Sequence, residues 1–359
     1  MRIALVPHDG SSINTIYRSI APMSVLRARG HETRRLDNTR EDGWDEALRW
    51  CDVLHVHRSC DEGTLQRVRA AKALGAATVW DDDDDVTRVS KRTEAYRNAG
   101  GFNGAKRLAV RGRLFNTVDL VTTTNERLAG IFREGGAPEV RVIENYVFDA
   151  LLGNCTSRSG VRVGWVAGGE HQLDLERIPV RAALQRLLDE YPQLHVTAIG
   201  VNLALRSDRY RHLPVVQFPH LLAHLSSFDI GIAPLSPDLH INHVRSDIKL
   251  KEYAAVGVPW LASPIGPYAG MGEREGGRLV PDDRWYEELD ALIRNDRARR
   301  KLAKRAAKWG RQQYLSANAA CWEQAFGRAI ERARAGVADA GRAARSAAGE
   351  RAATAPAQR

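Results

Sequence analysis

Two cations, a hydroxyl and a carboxylate stand close together in the stretch RSDIKLKEYAAVGVP, residues 245–259. Lys249 and Glu252 are three apart, so they share one face near the start of a helix. Ser246 has the chemistry of an N-cap, and Asp247 places a negative charge in the first turn. Gly257 and then Pro259 supply the stop. Free N–H groups at a helix start, flanked by Arg245 and Lys249, form an anion site. Glu252, one turn further on, accepts hydrogen bonds from neutral hydroxyls. A diphosphate beside a ribose is a ligand that wants both. The same spacing also fits a solvated Lys–Glu pair on a surface helix, and residue types alone leave the two readings open.

Three further groups have chemistry in them. Gly168-Gly169 and His171 follow an apolar run, and adjacent glycines let backbone N–H groups approach a phosphate; an ordinary tight turn is the plainer reading. His57 and Arg58 close the run DVLHVHR, where α/β sheets place their sites, whereas His55 reads as a structural histidine inside the strand. Asp81 to Asp85 are five adjacent carboxylates after the strand Ala77–Trp80. Like charges that dense repel, which points to a solvated loop, or to a D-x-D element holding a divalent ion.

The elements that must position these residues alternate in type. Arg2–Val6, Asp52–Arg58, Ala77–Trp80, Val118–Thr124 and Val140–Tyr146 read as strands, separated by helical stretches such as 17–29, 64–74 and 125–132. The rhythm starts again at Val161–Val166, and continues through a helix at 180–190, strands at 194–199 and 215–218, a helix at 221–228 and the strand Asp229–Ala233. The loop after the first strand, PHDGSS, is not G-x-G-x-x-G, so a dinucleotide fingerprint is absent. This pattern implies two doubly wound domains facing a cleft: residues 1–152, a linker at 153–160 rich in Gly, Ser, Thr and Asn, and residues 161–314. A helix at 315–333 follows. The Ala/Arg-rich stretch 334–359 lacks large apolar residues and reads as disordered.

Composition narrows the class. The chain has 359 residues, 43% of them hydrophobic, enough for two ordinary cores. No apolar run is long enough to cross a bilayer, and the N-terminus lacks the pattern of a signal peptide. Cys51, Cys60, Cys155 and Cys321 are scattered without metal or disulfide spacing, which favours a reducing cytoplasm. The net charge of +9 comes almost wholly from residues 294–311, with nine Lys and Arg against Asp296 alone. Leu302, Ala306 and Trp309 fall on one side of that helix. The cations on the other side suit an anionic lipid surface or a nucleic acid, or are simply solvated.

The run Arg245-Ser246-x-x-Lys249-x-x-Glu252-Tyr253-Ala254-Ala255-x-Gly257-Val258-Pro259 resembles the donor-site motif of GT-B glycosyltransferases, especially the group 1, family 4 type. Arg245 stands where Lys is usual. The acid that many relatives carry eight positions before the Glu is Val244 here. Tyr17-Arg18, Pro22, Leu26 and Gly30-His31 also resemble a run of those enzymes. So do His171, Asp174 and Leu175, and Trp80-Asp81-x-Asp83-Asp84 is similar to their Y-D-x-D-D element. Where relatives end the first domain with I-P-N, Glu144 replaces the Pro. The resemblance implies a GT-B fold and a glycosyltransferase that takes a nucleotide-diphospho-sugar, with retention at the anomeric carbon and with neither metal nor cofactor. Arg245 and Lys249 would be catalytic. Gly168, Gly169, His171, Ser246, Glu252 and Tyr253 would bind the donor, and His57, Arg58, Asp81, Asp83 and Asp84 would face the acceptor side. The acceptor is open: a glycan, a lipid-linked group, a protein, a small molecule or DNA. The expected location is the cytoplasm, peripheral to the inner membrane face through residues 294–311. The alternatives are another GT-B nucleotide-sugar enzyme, such as an epimerase, and a nucleic-acid- or membrane-binding protein acting through the basic helix.

Overall fold

Short apolar runs without polar alternation form strands covered on both faces, and this chain uses them to build two six-stranded, all-parallel sheets. The computed structural model describes residues 1–8, 12–40, 42–85, 90–92, 96, 104–151, 160–214 and 216–353. The first sheet contains β1 (Arg2–Val6), β2 (Glu32–Arg35), β3 (Val53–His57), β4 (Ala77–Asp81), β5 (Leu120–Thr123) and β6 (Val140–Val142), in the order β2-β1-β3-β4-β5-β6. The second contains β7 (Val161–Ala167), β8 (Leu194–Gly200), β9 (Tyr210–Leu213), β10 (Ile230–Ala233), β11 (Trp260–Ala262) and β12 (Gly277–Leu279), in the order β12-β11-β10-β7-β8-β9.

Each order reverses direction once, between β1 and β3 in the first sheet and between β7 and β10 in the second. Outside the carboxyl ends of such a strand pair lies a crevice that a ligand can enter. His57 and Arg58 end β3, and Gly168 and Gly169 follow β7, so these candidates stand at the two crevices. The 7-residue strand β7 is the central one of its sheet, and its Gly164 is obligatory: a Cβ there would lie 2.1 Å from the Phe228 ring.

The structure departs from the sequence reading in three elements. The strand expected at 215–218 is instead β9 at Tyr210–Leu213, and the helix begins at Phe218 with Pro in its first turn, a position where the missing N–H costs nothing. The stretch 334–359, read as disordered, continues the helix Ala320–Ala353 as far as Ala353. Ala and Arg are among the best helix formers, so a lack of large apolar residues does not stop a helix that is already nucleated. That helix is also no appendage of the second unit. Its Trp322, Phe326 and Ala329 are buried with Ile3, Leu5, Val53 and Val79 against the first sheet. The expected linker, apart from Gly160, lies outside the described residues.

The helix 248–255 is clamped from behind. Gly310, in the helix Asp296–Gln312, lies so close to it that a Cβ would sit 2.4 Å from the Ala254 backbone. Leu302 and Ala306 are buried on the same side, as their spacing predicts. No described helix is long and apolar enough to cross a membrane.

Candidate active site

Lys249 projects from the 248–255 helix to the carboxyl end of β7, where its Nζ donates to the Val166 carbonyl at 2.5 Å. Burial lowers its pKa to about 8 and the nearby Arg245 charge adds to that, although Glu252, Glu170 and Asp174 oppose it. Arg245 is held by Asn242 Oδ1 at 3.1 Å and by Glu170 Oε1 at 3.4 Å. Burial disfavours its charge, but Glu170, Asp84 and Asp174 more than compensate and raise its pKa. Glu170 is held down to about 2 against its own burial, by Arg245 and His171. Two half-buried cations therefore converge beside the Gly168-Gly169 turn, at the switch point of the second sheet.

Three residues expected to touch a donor have other partners. Ser246 does not cap the helix: the N-cap is Asp247, without a side-chain cap bond, and Ser246 Oγ accepts from Asn145 Nδ2 of the first domain at 3.1 Å. Tyr253 is fully buried and its hydroxyl ties the central strands together, donating to the Ile232 carbonyl at 3.0 Å and accepting from the Val166 N–H at 3.3 Å. Its ring lies against Gly231, where a Cβ would sit 2.7 Å away. His171 is locked by Asp174 at 2.7 Å, and Asp174 also accepts from the Ser236 N–H and Asn242 Nδ2. These three residues shape the site from behind. Glu252 lies at the domain interface, where the Tyr17 hydroxyl donates to its Oε1. Burial raises Glu252 to about 7 despite that hydrogen bond and the Lys249 charge.

The acidic run is buried, which corrects the solvated-loop reading. Asp81 is 0% exposed, Asp82 3%, Asp83 6% and Asp85 1%. Two arginines distant in sequence make this tolerable, because bidentate guanidinium pairs satisfy carboxylate lone pairs without water. Arg18, itself fully buried, donates Nε to Asp81 Oδ1 at 3.0 Å and Nη2 to Oδ2 at 2.6 Å. Thr122 adds a third bond to Asp81 at 2.6 Å. Burial would push Asp81 up, but Arg18 overrides it and leaves the pKa below its ordinary value. Arg58 binds Asp83 and Asp84. Its φ of 57° is rare for a residue with a side chain, and it falls at the first crevice. His57 Nε2 approaches Asp83 Oδ1 at 3.5 Å, while its buried Nδ1 has no hydrogen-bond partner. Asp82 is pushed by burial to about 7. Asp81 thus supports the fold, whereas Asp83 and Asp84 are presented with Arg58 at the crevice. Among the described residues, no group of three or more His, Cys, Asp or Glu is arranged to hold a metal ion.

The two crevices face each other. Asp85 Oδ2 lies 2.9 Å from His240 Nε2 of the second domain, and the Asp84 charge is felt by Arg245. Asn125 Nδ2 donates to the Val244 carbonyl at 2.7 Å, and the Val244 side chain packs into the first domain's core cluster. An acid at 244 would lose that packing. Lys251, 1% exposed, donates to Glu144 Oε2 of the first domain at 2.6 Å and pairs with Asp247 at 3.0 Å. Glu170, His240 and Asn145 were not singled out from the sequence. Each is an unremarkable polar residue, and only the tertiary pairing gives it a place.

This architecture, two doubly wound domains with opposed carboxyl edges, is the GT-B fold, the fold of a large class of glycosyltransferases. Solved structures with this fold superpose over nearly the whole chain. An alpha-glucosyltransferase (AGT) in complex with UDP matches with a TM-score of 0.64 at 11% identity, over 92% of this chain and 99% of that one. Sucrose-phosphate synthase from Thermosynechococcus elongatus matches at 0.61 and 14% identity, over 91% and 98%. A putative UDP-N-acetylglucosamine 2-epimerase from Listeria monocytogenes matches at 0.54 and 13% identity, over 88% and 94%. No protein-family model and no curated relative matches the sequence.

Proposed function

We propose that this chain is a glycosyltransferase that moves a sugar from a nucleotide-diphospho-sugar to an acceptor bound against the first domain. The observation that carries the reading is the pair of half-buried cations, Arg245 and Lys249, beside the glycine turn at the switch point of the second sheet. As the bond between the sugar and the diphosphate breaks, negative charge grows on the departing diphosphate. Fixed cations in a site screened from water stabilise that charge more than they stabilise the intact donor. Glu252, one turn along, accepts the ribose hydroxyls. No side chain stands as an assured nucleophile, which fits transfer with retention driven by the leaving group. The reading needs no metal, and Arg245 and Lys249 supply the positive charge.

The face of the 296–312 helix away from the domain exposes Arg297, Arg300, Lys301, Lys304, Lys308 and Arg311. It supports a peripheral contact with an anionic surface, and hence a lipid-linked or phosphate-rich acceptor in the cytoplasm. The epimerase reading draws support from neighbours such as the Listeria structure, and product analysis separates the two. The test is to offer UDP-, GDP-, TDP- and ADP-sugars and follow binding and slow hydrolysis, with and without chelator. One of them is expected to bind and to release free sugar without metal. A donor converted to an epimer would favour the alternative. Absence of binding to all four, or activity abolished by chelator and restored by manganese, would refute the reading.

A further inference from the structure

The donor site contains a residue from the other domain. Tyr17 lies in the wide helical turn Ile16–Ile20, a geometry that recurs at functional sites because it shifts side chains off the regular helical positions. Its ring is 4% exposed and is buried in the second domain's core cluster, with Phe218, Leu250 and Tyr253. The Phe218 ring meets it edge-on, at 5.2 Å between centroids and 87° between planes. An edge-to-face contact inside a packed cluster fixes the direction of the ring, so the phenolic oxygen is a fixed point. That oxygen donates to Glu252 Oε1. A carboxylate offers about four lone-pair sites, and no other hydrogen bond to the Glu252 carboxylate is formed among the described residues.

We propose that Tyr17 is a positioning residue for the donor: its hydroxyl holds Glu252 by Oε1 and leaves Oε2 to receive the ribose hydroxyls. This rests on the donor-site reading above. A glutamate has three rotatable bonds, and an unheld carboxylate would have to be ordered each time a nucleotide bound. Tyr17 removes that cost, and it does so from the first domain, so the donor site is complete only when the two domains are apposed.

Tyr17 also sets the charge of the group it holds. Glu252 faces Tyr17 from the first domain and Lys249 on its own helix, while its charge is felt by Tyr253 and by Tyr268 of the 266–268 turn. Burial drives Glu252 towards protonation, and the Tyr17 hydrogen bond favours the anion. Burial, together with the Glu252 charge, raises Tyr17 itself, which keeps it a neutral donor. A protonated Glu252 is a poorer acceptor for ribose. Removing the hydroxyl should therefore move the pH at which nucleotide binding develops to a higher value.

Tyr17→Phe keeps the ring and its packing. Calorimetric titration of the full chain with UDP and with 2′,3′-dideoxy-UDP, between pH 6 and 9, tests the proposal. The wild type should prefer UDP by about tenfold or more, the value of a hydrogen bond to a charged group. The Tyr17→Phe variant should lose most of that preference, with dideoxy-UDP binding within about twofold of wild type and UDP binding recovering only at higher pH. In a Glu252→Gln background the same change should do nothing further, as expected of coupled groups. If the variant weakens both ligands equally, or leaves both unchanged, the proposal is overturned. If it tightens UDP, Tyr17 competes with ribose rather than positioning its acceptor, and the proposal is equally overturned. A wild type that binds none of UDP, GDP and ADP overturns the donor-site reading itself, and this inference falls with it.

Discussion

Replacing Lys249 by alanine tests the site where its charge is most exposed to argument. The ammonium is half-buried, is carried by a helix and is aimed at the carboxyl end of β7. If the departing diphosphate takes up between half and one full charge about 4 Å away, an effective dielectric of about 20 gives roughly 2–4 kcal/mol of differential stabilisation. That corresponds to a loss in turnover of about 100-fold, within the range measured for single oxyanion donors. The pH dependence is a further test. Burial depresses Lys249 to about 8 in the free protein, so the ammonium is present below that value and is lost above it. The wild-type kcat/KM, measured as donor hydrolysis with the matched nucleotide sugar, should fall as pH rises through about 8. Lys249→Arg, which does not titrate in this range, should lose that descending limb and keep part of the rate. Lys249→Ala should lose both, while its unfolding temperature stays close to wild type. Turnover within about threefold of wild type in a folded Lys249→Ala variant would refute the leaving-group argument. A wild-type profile that stays flat to pH 9.5 would show that Lys249 keeps its proton throughout, and would leave the turnover of Lys249→Ala as the deciding measurement.

Two other perturbations probe the framework. Arg18→Ala strands the buried Asp81 carboxylate and should cost about 3–5 kcal/mol in denaturant unfolding at pH 7. Asp81 has a folded pKa below its ordinary value, so Arg18 contributes fully above that ordinary value and progressively less as pH falls through the folded one; the penalty should therefore shrink in acid. Neutralising Arg300, Lys301, Lys304 and Lys308 together should leave slow donor hydrolysis intact and weaken low-salt binding to vesicles rich in anionic lipid. Loss of hydrolysis in the folded variant would place the basic helix inside the catalytic site.

How far the sequence could be read depended on how local each signal was. The inner strands announced themselves as apolar runs, whereas the polar edge strands β2 (Glu32–Arg35) and β9 (Tyr210–Leu213) did not; the residues 245–259 carried a helix, its stop and its cations within one short window. Asp81–Asp85 misled because repulsion is local while the remedy is not: Arg18 comes from the helical turn 16–20 and Arg58 from the end of β3, and they meet the carboxylates only in the folded domain. Ser246 had the right side chain for a cap, but Asn145 of the other domain claims it. Tyr253 looked like a ligand contact from its motif and is instead a rivet under β7 and β10. Tyr17 was visible as part of a Tyr-Arg pair, and nothing short of the interface could show that the two neighbours serve different domains.

The helix Ala320–Ala353 follows both sheets in sequence, yet its Trp322 and Phe326 cover Ile3, Leu5 and Val53, which precede nearly everything else. A chain emerging during synthesis therefore cannot finish its first sheet before its second, although its strands are complete within the first 142 residues. Until that helix has been made, the part of the sheet face beside the helix Ala21–Ala28 that it covers is open and apolar, the kind of surface through which nascent chains associate with one another. Cleavage ahead of Trp322 would leave an unfinished protein rather than a smaller one. Its first domain would be covalently whole and physically incomplete.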